Sequence, residues 1–279
     1  MITISAFADE IGPNLDLQMN TCEAHGVKCI DVRGIDGVNV SKMTLAQVAE
    51  YKRRLDDRGF TVPCIGSPIG KIRMDEDFDA HIDLLKHCFD VARAFGTRLI
   101  RGFSFYPSQG AKIADERDAV MERMQGMVAA AEAADCVFMH ENEKAIYGAT
   151  PAGVKDMFAT IAGAHFKGIF DPANYVEEGI APYDDGWTEG LAELTDYLHI
   201  KDKIPGEEAC TPAGTGQGQF PEIFADLARR NWSGYATLEP HLAQAGQFTG
   251  FTGPDLFAKA ADALKAVCDT AGIPYRTYD

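Results

Sequence analysis

Four short segments of the sequence end in side chains that bind metals or move protons. Each segment starts as an apolar, strand-like run, and the four end residues are Glu141, Asp171, His199 and Glu239. If these side chains face one another, the carboxylates repel and desolvate each other, so protonation, basic partners or a bound cation must compensate. An oxygen-rich set with one nitrogen suits Mn²⁺, Mg²⁺ or Co²⁺ and is compatible with Zn²⁺. The four together therefore predict one divalent metal ion, with Mn²⁺ favoured.

Whether these side chains meet depends on the elements that carry them, which alternate along the chain. Eight short runs, most of them rich in Val, Ile, Phe or Tyr, predict strands. They cover residues 2–7, 28–33, 60–65, 98–103, 136–141, 166–171, 197–201 and 235–239. Between them, apolar residues recur at three- and four-residue spacing, most clearly over residues 78–95. The other helices are predicted over residues 15–25, 45–57, 114–134, 151–162, 187–194, 221–230 and 254–271.

Eight strands that alternate with eight helices predict the α/β fold class, as a single (β/α)8 TIM barrel over residues 1–279. An open doubly wound sheet is the competing fold, but it normally carries G-x-G-x-x-G after its first strand. Residues 7–12 have no such loop, and the glycine-rich run 214–218 lacks the strand–turn–helix context of a phosphate site. Catalytic groups of a barrel project from the C-terminal ends of its strands, so we expect the four side chains at one mouth.

Other polar side chains near the strand ends are candidates for binding a substrate. They are Glu143, Asn174, Lys201, His241, Arg33, Lys71, Arg101 and Ser67. The cationic ones suit a substrate carboxylate, phosphate or hydroxyl. The alternative is a salt bridge to a nearby Lys or Arg for Glu143, an ion pair with a neighbouring acid for the Lys and Arg residues, and an ordinary loop residue for His241. For any one metal candidate taken alone, the alternative is a solvated loop carboxylate or a hydrogen-bonded core histidine.

The composition excludes some partners. The chain has 26 Lys and Arg residues against 42 Asp and Glu residues, a net charge of −16. Such a surface repels phosphate backbones, so no nucleic-acid partner is expected. The seven scattered cysteines include no CxxC pair and favour reduced thiols in the cytoplasm. Because no long apolar run and no basic N-terminal flank is present, we expect no membrane partner and a cytoplasmic location.

Several short motifs, in order and spacing, resemble those of one family. They are FADEIG (7–12), IGSPIGK (65–71), HENEKAIYG (140–148), FDPANYV (170–176), HIKDK (199–203) and LEPHL (238–242). The chain thereby resembles the xylose isomerase-like TIM-barrel family, also called sugar phosphate isomerases/epimerases. The resemblance implies one divalent metal held by Glu141, Asp171, His199 and Glu239, and it implies a homo-oligomer.

The resemblance also implies a reaction class. The expected activity is isomerisation or epimerisation of a sugar or cyclitol, by proton abstraction next to a carbonyl through a metal-stabilised enediolate. Glu141 and Glu239 are the expected base and acid. The alternative is a lyase or dehydratase that eliminates a β-substituent from a keto-sugar, 3-keto-glycoside or keto-inositol. Ketose epimerases of the family tend to place a substrate-binding His where this chain has Asn174, a departure that keeps the elimination open.

Two further functions fit the sequence less well. A sugar-binding protein without chemistry would not need two carboxylates poised across one metal. A DNA-repair endonuclease of this fold would need a larger, His-rich metal cluster and a basic DNA face, and this acidic sequence has neither. The partner that we expect is a small-molecule carbohydrate.

Overall fold

Eleven strands are present in the computed structural model, which describes residues 1–161, 163–243 and 252–278. In chain order they are β1 (Ile2–Ala6), β2 (Cys29–Ile30), β3 (Gly34–Ile35), β4 (Val38–Asn39), β5 (Cys64–Ile65), β6 (Leu99–Gly102), β7 (Val137–Glu141), β8 (Phe166–Phe170), β9 (Thr195–Ile200), β10 (Gly234–Leu238) and β11 (Tyr275–Arg276). All eight predicted strand regions contain a strand. The additional ones are the β3–β4 hairpin and the short β11.

Eight of these strands form a nearly closed parallel barrel. The pairing runs from β5 through β6, β7, β8, β9 and β10 to β1, which also pairs with β2. Isolated parallel bridges, Cys29 to Thr61 and Val32 to Ile65, connect the β2 and β5 regions and complete the ring. The β3–β4 hairpin is antiparallel and separate, and β11 pairs with β1. The predicted (β/α)8 barrel is confirmed.

Helices cover the barrel between successive strands. They are α1 (Leu15–Ala24), α2 (Leu45–Asp57), α3 (Phe78–Phe95), α4 (Arg117–Ala133), α5 (Pro151–Thr160), α6 (Pro172–Glu177), α7 (Phe220–Arg229) and α8 (Pro254–Ala271). Side chains cap several N-termini: Thr44 forms a capping box with Gln47 on α2, and Asp77 caps α3. Because these caps satisfy backbone donors locally, they define the residue at which α2 and α3 start.

The helix predicted over residues 187–194 is wrong. The chain there forms a π-helical turn (Pro182–Trp187) and a 3₁₀ turn (Leu191–Glu193), with Gly190 between them at φ 107°. A residue at that φ cannot continue a right-handed helix. The α-helix of this connection is instead α6, which starts directly behind β8 with Asp171 as its N-cap. Because α6 starts directly after β8, Asp171 lies at the N-terminus of this helix and caps it.

The interior of the barrel contains a buried carboxylate. Asp31 accepts hydrogen bonds from the hydroxyls of Ser5 (2.8 Å), Tyr197 (2.7 Å) and Thr237 (2.9 Å). Burial raises the pKa of Asp31, and the three hydroxyls oppose that rise. Tyr197 lies two residues before His199 on β9, so this network supports the strand that presents the histidine.

Among the residues that the structure describes, no helix is long and apolar enough to cross a membrane. The described helices are instead packed against the barrel through a large cluster of buried apolar side chains.

The loop after β5 is held by two unusual backbone features, which generate two predictions. Gly70 has φ +89°, and an added Cβ would lie 2.0 Å from the Phe103 carbonyl oxygen. The Gly70 N–H donates to Nε2 of the buried His81 at 2.7 Å. The next residue, Lys71, lies at the barrel mouth, so this loop decides where that cation lies.

We predict that Gly70→Ala lowers the free energy of unfolding by about 2–5 kcal/mol, the sum of a left-handed backbone cost and a steric clash. Gly37→Ala is the matched control, since Gly37 has φ +77° but open space around it. That substitution should cost only about 1–2 kcal/mol. Urea denaturation of both variants measures the difference, and equal losses would show that the contact with Phe103 carries no energy.

A second prediction concerns pH. Burial and the nearby Arg123 lower the pKa of His81, although Glu76 opposes them. Below the unfolded-state pKa of about 6.5 the unfolded chain therefore binds more protons at this position, so the folded state loses stability as the pH falls. In His81→Gln the amide oxygen accepts the same N–H without titrating. The wild type should lose stability relative to this variant between about pH 6.5 and 5, and parallel curves would contradict this reading.

Candidate metal centre

The four candidate metal ligands meet at the C-terminal mouth of the barrel. Glu141 ends β7, Asp171 follows β8, His199 lies near the end of β9, and Glu239 follows β10. Each side chain offers one ligand atom, these atoms lie within 4.8 Å of one another, and all four residues are buried. The alternation of strands and helices thus places four residues, spread over about a hundred positions of sequence, around one point.

Two asparagines fix Glu141 and Asp171 relative to each other. The Asn142 side chain donates to the Asp171 carbonyl (2.9 Å) and accepts from the Asp171 N–H (2.8 Å). Asn174 donates from its amide to the Asn142 carbonyl (2.7 Å) and, more weakly, to Oε1 of Glu141 (3.4 Å). Because both amides are buried and engaged, they lock the ends of β7 and β8 together.

Asp171 has two roles that use different oxygens. Its Oδ1 accepts from the Asn174 N–H at 3.1 Å as the N-cap of α6, so Oδ2 remains for the centre. Burial raises the pKa of Asp171 to about 7, against the lowering effect of Lys201, whose Nζ lies 3.0 Å from Oδ2. A bound cation would hold this carboxyl ionised at neutral pH.

The donor atoms fit a divalent ion. Asp171 Oδ2, His199 Nδ1 and Glu239 Oε2 are buried and make no hydrogen bond of acceptable geometry within the described part of the chain. Their neighbours at 3.0–3.4 Å are charged groups of the same cluster, so these three atoms would be available to a cation that binds there. Carboxylate oxygens with one imidazole nitrogen are a donor set for Mn²⁺, Mg²⁺, Co²⁺ or Zn²⁺.

Each ligand carboxylate also has a cation of the chain beside it. Arg101 Nη1 lies 3.2 Å from Glu141 Oε2, and Arg33 Nη1 lies 2.8 Å from Glu239 Oε1. Burial opposes the ionisation of Glu141, but His199 and Arg101 lower its pKa to about 2. These two pairs therefore help to hold Glu141 and Glu239 ionised without a metal.

His199 is wedged between two of the acids. Its Nδ1 lies 3.1 Å from Glu141 Oε1 and 3.4 Å from Glu239 Oε2, and the Phe7 ring meets it edge-on at 5.0 Å. Burial disfavours the imidazolium, but the two glutamates raise the pKa of His199 to about 9. Since only the neutral imidazole binds a metal, occupancy of the centre would release a proton.

Glu239 is supported from its outer side by a second polar group. Glu10 is fully buried; its carboxylate lies 2.7 Å from His241 Nε2 and 3.3 Å from Arg33 Nη2, and accepts from the His241 N–H at 2.9 Å. This grip holds His241 at φ 45°, an uncommon value for a residue with a side chain. Burial opposes its charge, but Glu10 and Glu239 raise the pKa of His241 to about 9.

The structure distributes the other substrate candidates unevenly. Lys201 and His241 both lie within 4 Å of Glu239. Lys71 and Glu143 pair with each other at 2.7 Å on the rim, which was the alternative interpretation of Glu143. Ser67 is fully buried; its hydroxyl donates to the Arg101 carbonyl and accepts from the Ile69 N–H. Its hydroxyl thus serves the backbone rather than the mouth.

Arg33 and Arg101 are likewise engaged by protein groups. Arg33 bonds Asp9 (2.8 Å) as well as Glu10 and Glu239, and Arg101 donates to the carbonyls of Gly66 and Ser67. Both guanidiniums lie 4.9 Å from the Phe7 ring. Their observed contacts are with the metal candidates and the chain itself, and their predicted contact with substrate stays a prediction.

Two residues of the centre were not among the predicted ones. Asn142 stands directly after Glu141, but no local pattern indicates that its amide bridges to the backbone of the next strand end. Glu10 belongs to an acidic pair shortly after the first predicted strand, and polar residues after a strand are the same signal that indicates the four candidate ligands.

Comparison with known proteins gives the same fold. A family model described as "Xylose isomerase-like TIM barrel" matches residues 19–267. The probable 3-DHS dehydratase AsbF from Bacillus anthracis has a TM-score of 0.74 at 15% identity, covering 95% of this chain and 99% of that one. The 3-keto-D-glucoside 4-epimerase YcjR from E. coli has a TM-score of 0.69 at 15% identity, covering 96% and 99%.

A third similar structure is a xylose isomerase-like TIM barrel protein from Mycobacterium smegmatis in complex with magnesium. Its TM-score is 0.69 at 14% identity, with 97% of each chain covered. No curated protein matches the chain. At such identities the likeness to solved structures establishes the fold alone, so the chemistry must be argued from the residues.

The asparagine lock yields a prediction for metal binding. Asn142→Ala removes both hydrogen bonds to the Asp171 backbone and the packing that holds Asn174, so we expect Mn²⁺ affinity to fall by about 10–100-fold. Asn39→Ala is the control, since the Asn39 side chain caps a 3₁₀ turn (Val40–Lys42) and accepts its hydrogen bonds from Ser41. Isothermal titration with Mn²⁺ measures both variants. Unchanged affinity in Asn142→Ala would mean that the ligands are positioned without it.

Proposed function

The chain belongs to the xylose isomerase-like TIM-barrel family, and on that premise we propose that it is a divalent-metal-dependent isomerase or epimerase of a sugar or cyclitol. The observation that carries the proposal is the convergence of four buried ligand atoms, from Glu141, Asp171, His199 and Glu239, within 4.8 Å. Mn²⁺ is the ion we propose, with Mg²⁺, Co²⁺ and Zn²⁺ as the other ions that this donor set accepts.

A divalent ion held by these residues would act as a Lewis acid and raise the acidity of a C–H next to a substrate carbonyl. We assign the proton itself to Glu141 and Glu239. Burial opposes the ionisation of both, but His199 and Arg101 lower the pKa of Glu141 to about 2, and Lys201 and His199 hold the pKa of Glu239 well below its ordinary value. Both are therefore carboxylates at neutral pH, the form that accepts a proton.

The two glutamates face the reaction space from different strands. Glu141 and Glu239 approach the His199 imidazole from two sides, with Oε1 of the first and Oε2 of the second directed at its Nδ1. One carboxylate removes a proton from the substrate, and the other, after taking up a proton from solvent, delivers one; the first then returns its proton to solvent. Delivery to the neighbouring carbon isomerises the sugar, and delivery to the opposite face of the same carbon epimerises it.

A small carbohydrate suits the rim of this mouth. Lys71, Glu143 and His241 are each partly exposed there, and they offer both donors and acceptors to hydroxyl groups. Donors and acceptors placed together at the edge of a mouth suit the hydroxyl groups of a sugar.

One observation favours elimination as the second candidate function. The Lys201 ammonium lies 3.0 Å from Asp171 Oδ2 and 3.9 Å from Glu239 Oε2, inside the ligand cluster. An ammonium at that place can give a proton to a departing β-substituent after the α-proton has been removed. The side-chain amide of Asn174, in contrast, already donates to Glu141 and to the Asn142 carbonyl. The similar solved structures include both a probable dehydratase and an epimerase.

The first test is metal content. We predict that the wild type binds about one Mn²⁺ per chain. Asp171→Asn should weaken binding by at least about tenfold, because the amide NH₂ group then takes the place of Oδ2 and cannot ligate a metal. Asp196→Asn is the control, a carboxylate on the same strand as His199 that pairs with Lys167 instead. Titration of metal-stripped protein measures all three. A wild type that binds no divalent ion would overturn the proposal.

The second test is hydrogen exchange with solvent. Ketoses, inososes and 3-keto-glycosides are incubated with the Mn²⁺-loaded protein in D₂O and followed by proton NMR. Deuterium in a product of unchanged composition identifies an isomerase or epimerase, whereas release of an aglycone or water identifies a lyase. Glu141→Gln should slow either reaction by about 10²–10⁴-fold, and full activity in that variant would exclude Glu141 as the base.

A further inference from the structure

A glycine-rich loop is folded around a single buried carboxylate. Asp202, which follows β9, is 1% exposed and accepts four backbone N–H groups. Its Oδ1 accepts from Lys203 and Gly218, each at 2.8 Å, and its Oδ2 accepts from Gly214 and Gly216, each at 2.9 Å. Converging backbone amides of this kind form an anion-binding nest, and this one is closed by the chain's own side chain.

The glycines of the loop are required by that arrangement. A Cβ on Gly216 would lie 2.4 Å from Asp202 Oδ1, and one on Gly218 would lie 2.7 Å from the same atom. Gly214 has φ +82°, which a side chain would strain. The run that looked like a phosphate loop in the sequence therefore does bind an anion, but the anion is an aspartate twelve to sixteen residues away.

The nest is linked directly to the mouth of the barrel. Lys201, which contacts two metal candidates, immediately precedes Asp202 in the chain. The Thr211 N–H donates to the Asp202 carbonyl, and the neighbouring Cys210 N–H donates to the His241 carbonyl, both at 3.0 Å. Fixing the loop on Asp202 thus also fixes the backbone at Lys201 and at His241, whose side chains both lie within 4 Å of Glu239.

We propose that Asp202 is a positioning residue: its carboxylate closes the nest formed by Lys203, Gly214, Gly216 and Gly218, and the closed nest holds Lys201 and His241 at the mouth. The nest is independent of the proposed function, whereas its effect on turnover depends on that function. Removal of the carboxylate leaves four convergent donors, so a small free carboxylate of the same shape can refill the site.

The test reads the nest amides themselves. Three of the four donors are glycines, so selective ¹⁵N-glycine labelling reports them among the 27 glycines of the chain. In Asp202→Ala we expect the amides of Gly214, Gly216 and Gly218 to exchange with solvent at least about tenfold faster than in the wild type, because each loses a charge-assisted bond. Formate, compared with chloride at equal ionic strength, should restore their protection in Asp202→Ala.

Asp202→Asn provides a second readout that does not require an empty nest. Its single carbonyl oxygen can serve only one amide pair, so either Gly218 or the pair Gly214 and Gly216 should exchange faster while the other stays protected. Formate should change nothing in this variant, since the amide fills the site. Glu207→Gln removes a charge from an exposed part of the same loop and should match the wild type with and without formate.

Two results would overturn the inference. One is wild-type exchange at all three glycines in both Asp202 variants, and the other is a folded Asp202→Ala protein whose glycines ignore formate. If a substrate is found by the NMR screen, turnover of Asp202→Ala should fall and recover with formate in parallel with amide protection. A wild type without turnover would refute the proposed function and leave the amide-exchange result intact.

Discussion

The mutual repulsion of buried carboxylates at one end of the barrel is the constraint on which the rest of the structure depends. The ligand atoms of Glu141, Asp171 and Glu239 lie within a few ångströms of each other, and all three side chains are nearly inaccessible to solvent. Each has its own cation, and the cation beside Glu239 is in turn held by two further acids, Asp9 and Glu10. The charges therefore alternate outward from the centre, and removing any one of them weakens the compensation of its buried neighbours.

The barrel is built to tolerate this arrangement. Charged groups at the mouth are fixed by backbone and amide contacts, as in the Asn142 bridge to Asp171 and the Glu10 grip on His241. Deeper in the barrel, three hydroxyls donate hydrogen bonds to Asp31, so this buried carboxyl group does not need a cation beside it. The candidate ligands lie near the ends of strands or directly after them, and the connections that follow the strands carry several of the groups around them.

The sequence predicted the parts that depend on periodicity. Strands end where apolar runs end, so the eight-strand barrel and the four candidate ligands at its strand ends could be predicted from these runs. The remainder depends on contacts between distant residues: Glu10 meets His241 across 231 positions, a pairing that no local pattern encodes. The helix predicted at 187–194 is absent for a local reason. The apolar spacing there is typical of a helix, but Gly190 has a positive φ that interrupts it. Ser67 was assigned by its place in the loop, and only the fold shows that its hydroxyl faces the backbone.

The carboxylates at the centre each have one oxygen already engaged by protein. Asp171 uses Oδ1 to cap a helix, Glu141 directs Oε2 at Arg101, and Glu239 directs Oε1 at Arg33. Each would therefore offer one oxygen to a bound cation, and with His199 the four residues would supply four ligand atoms. Mn²⁺ and Mg²⁺ prefer six ligands. A cation of this kind would therefore need further ligands from outside these four residues, such as water or oxygens of a substrate.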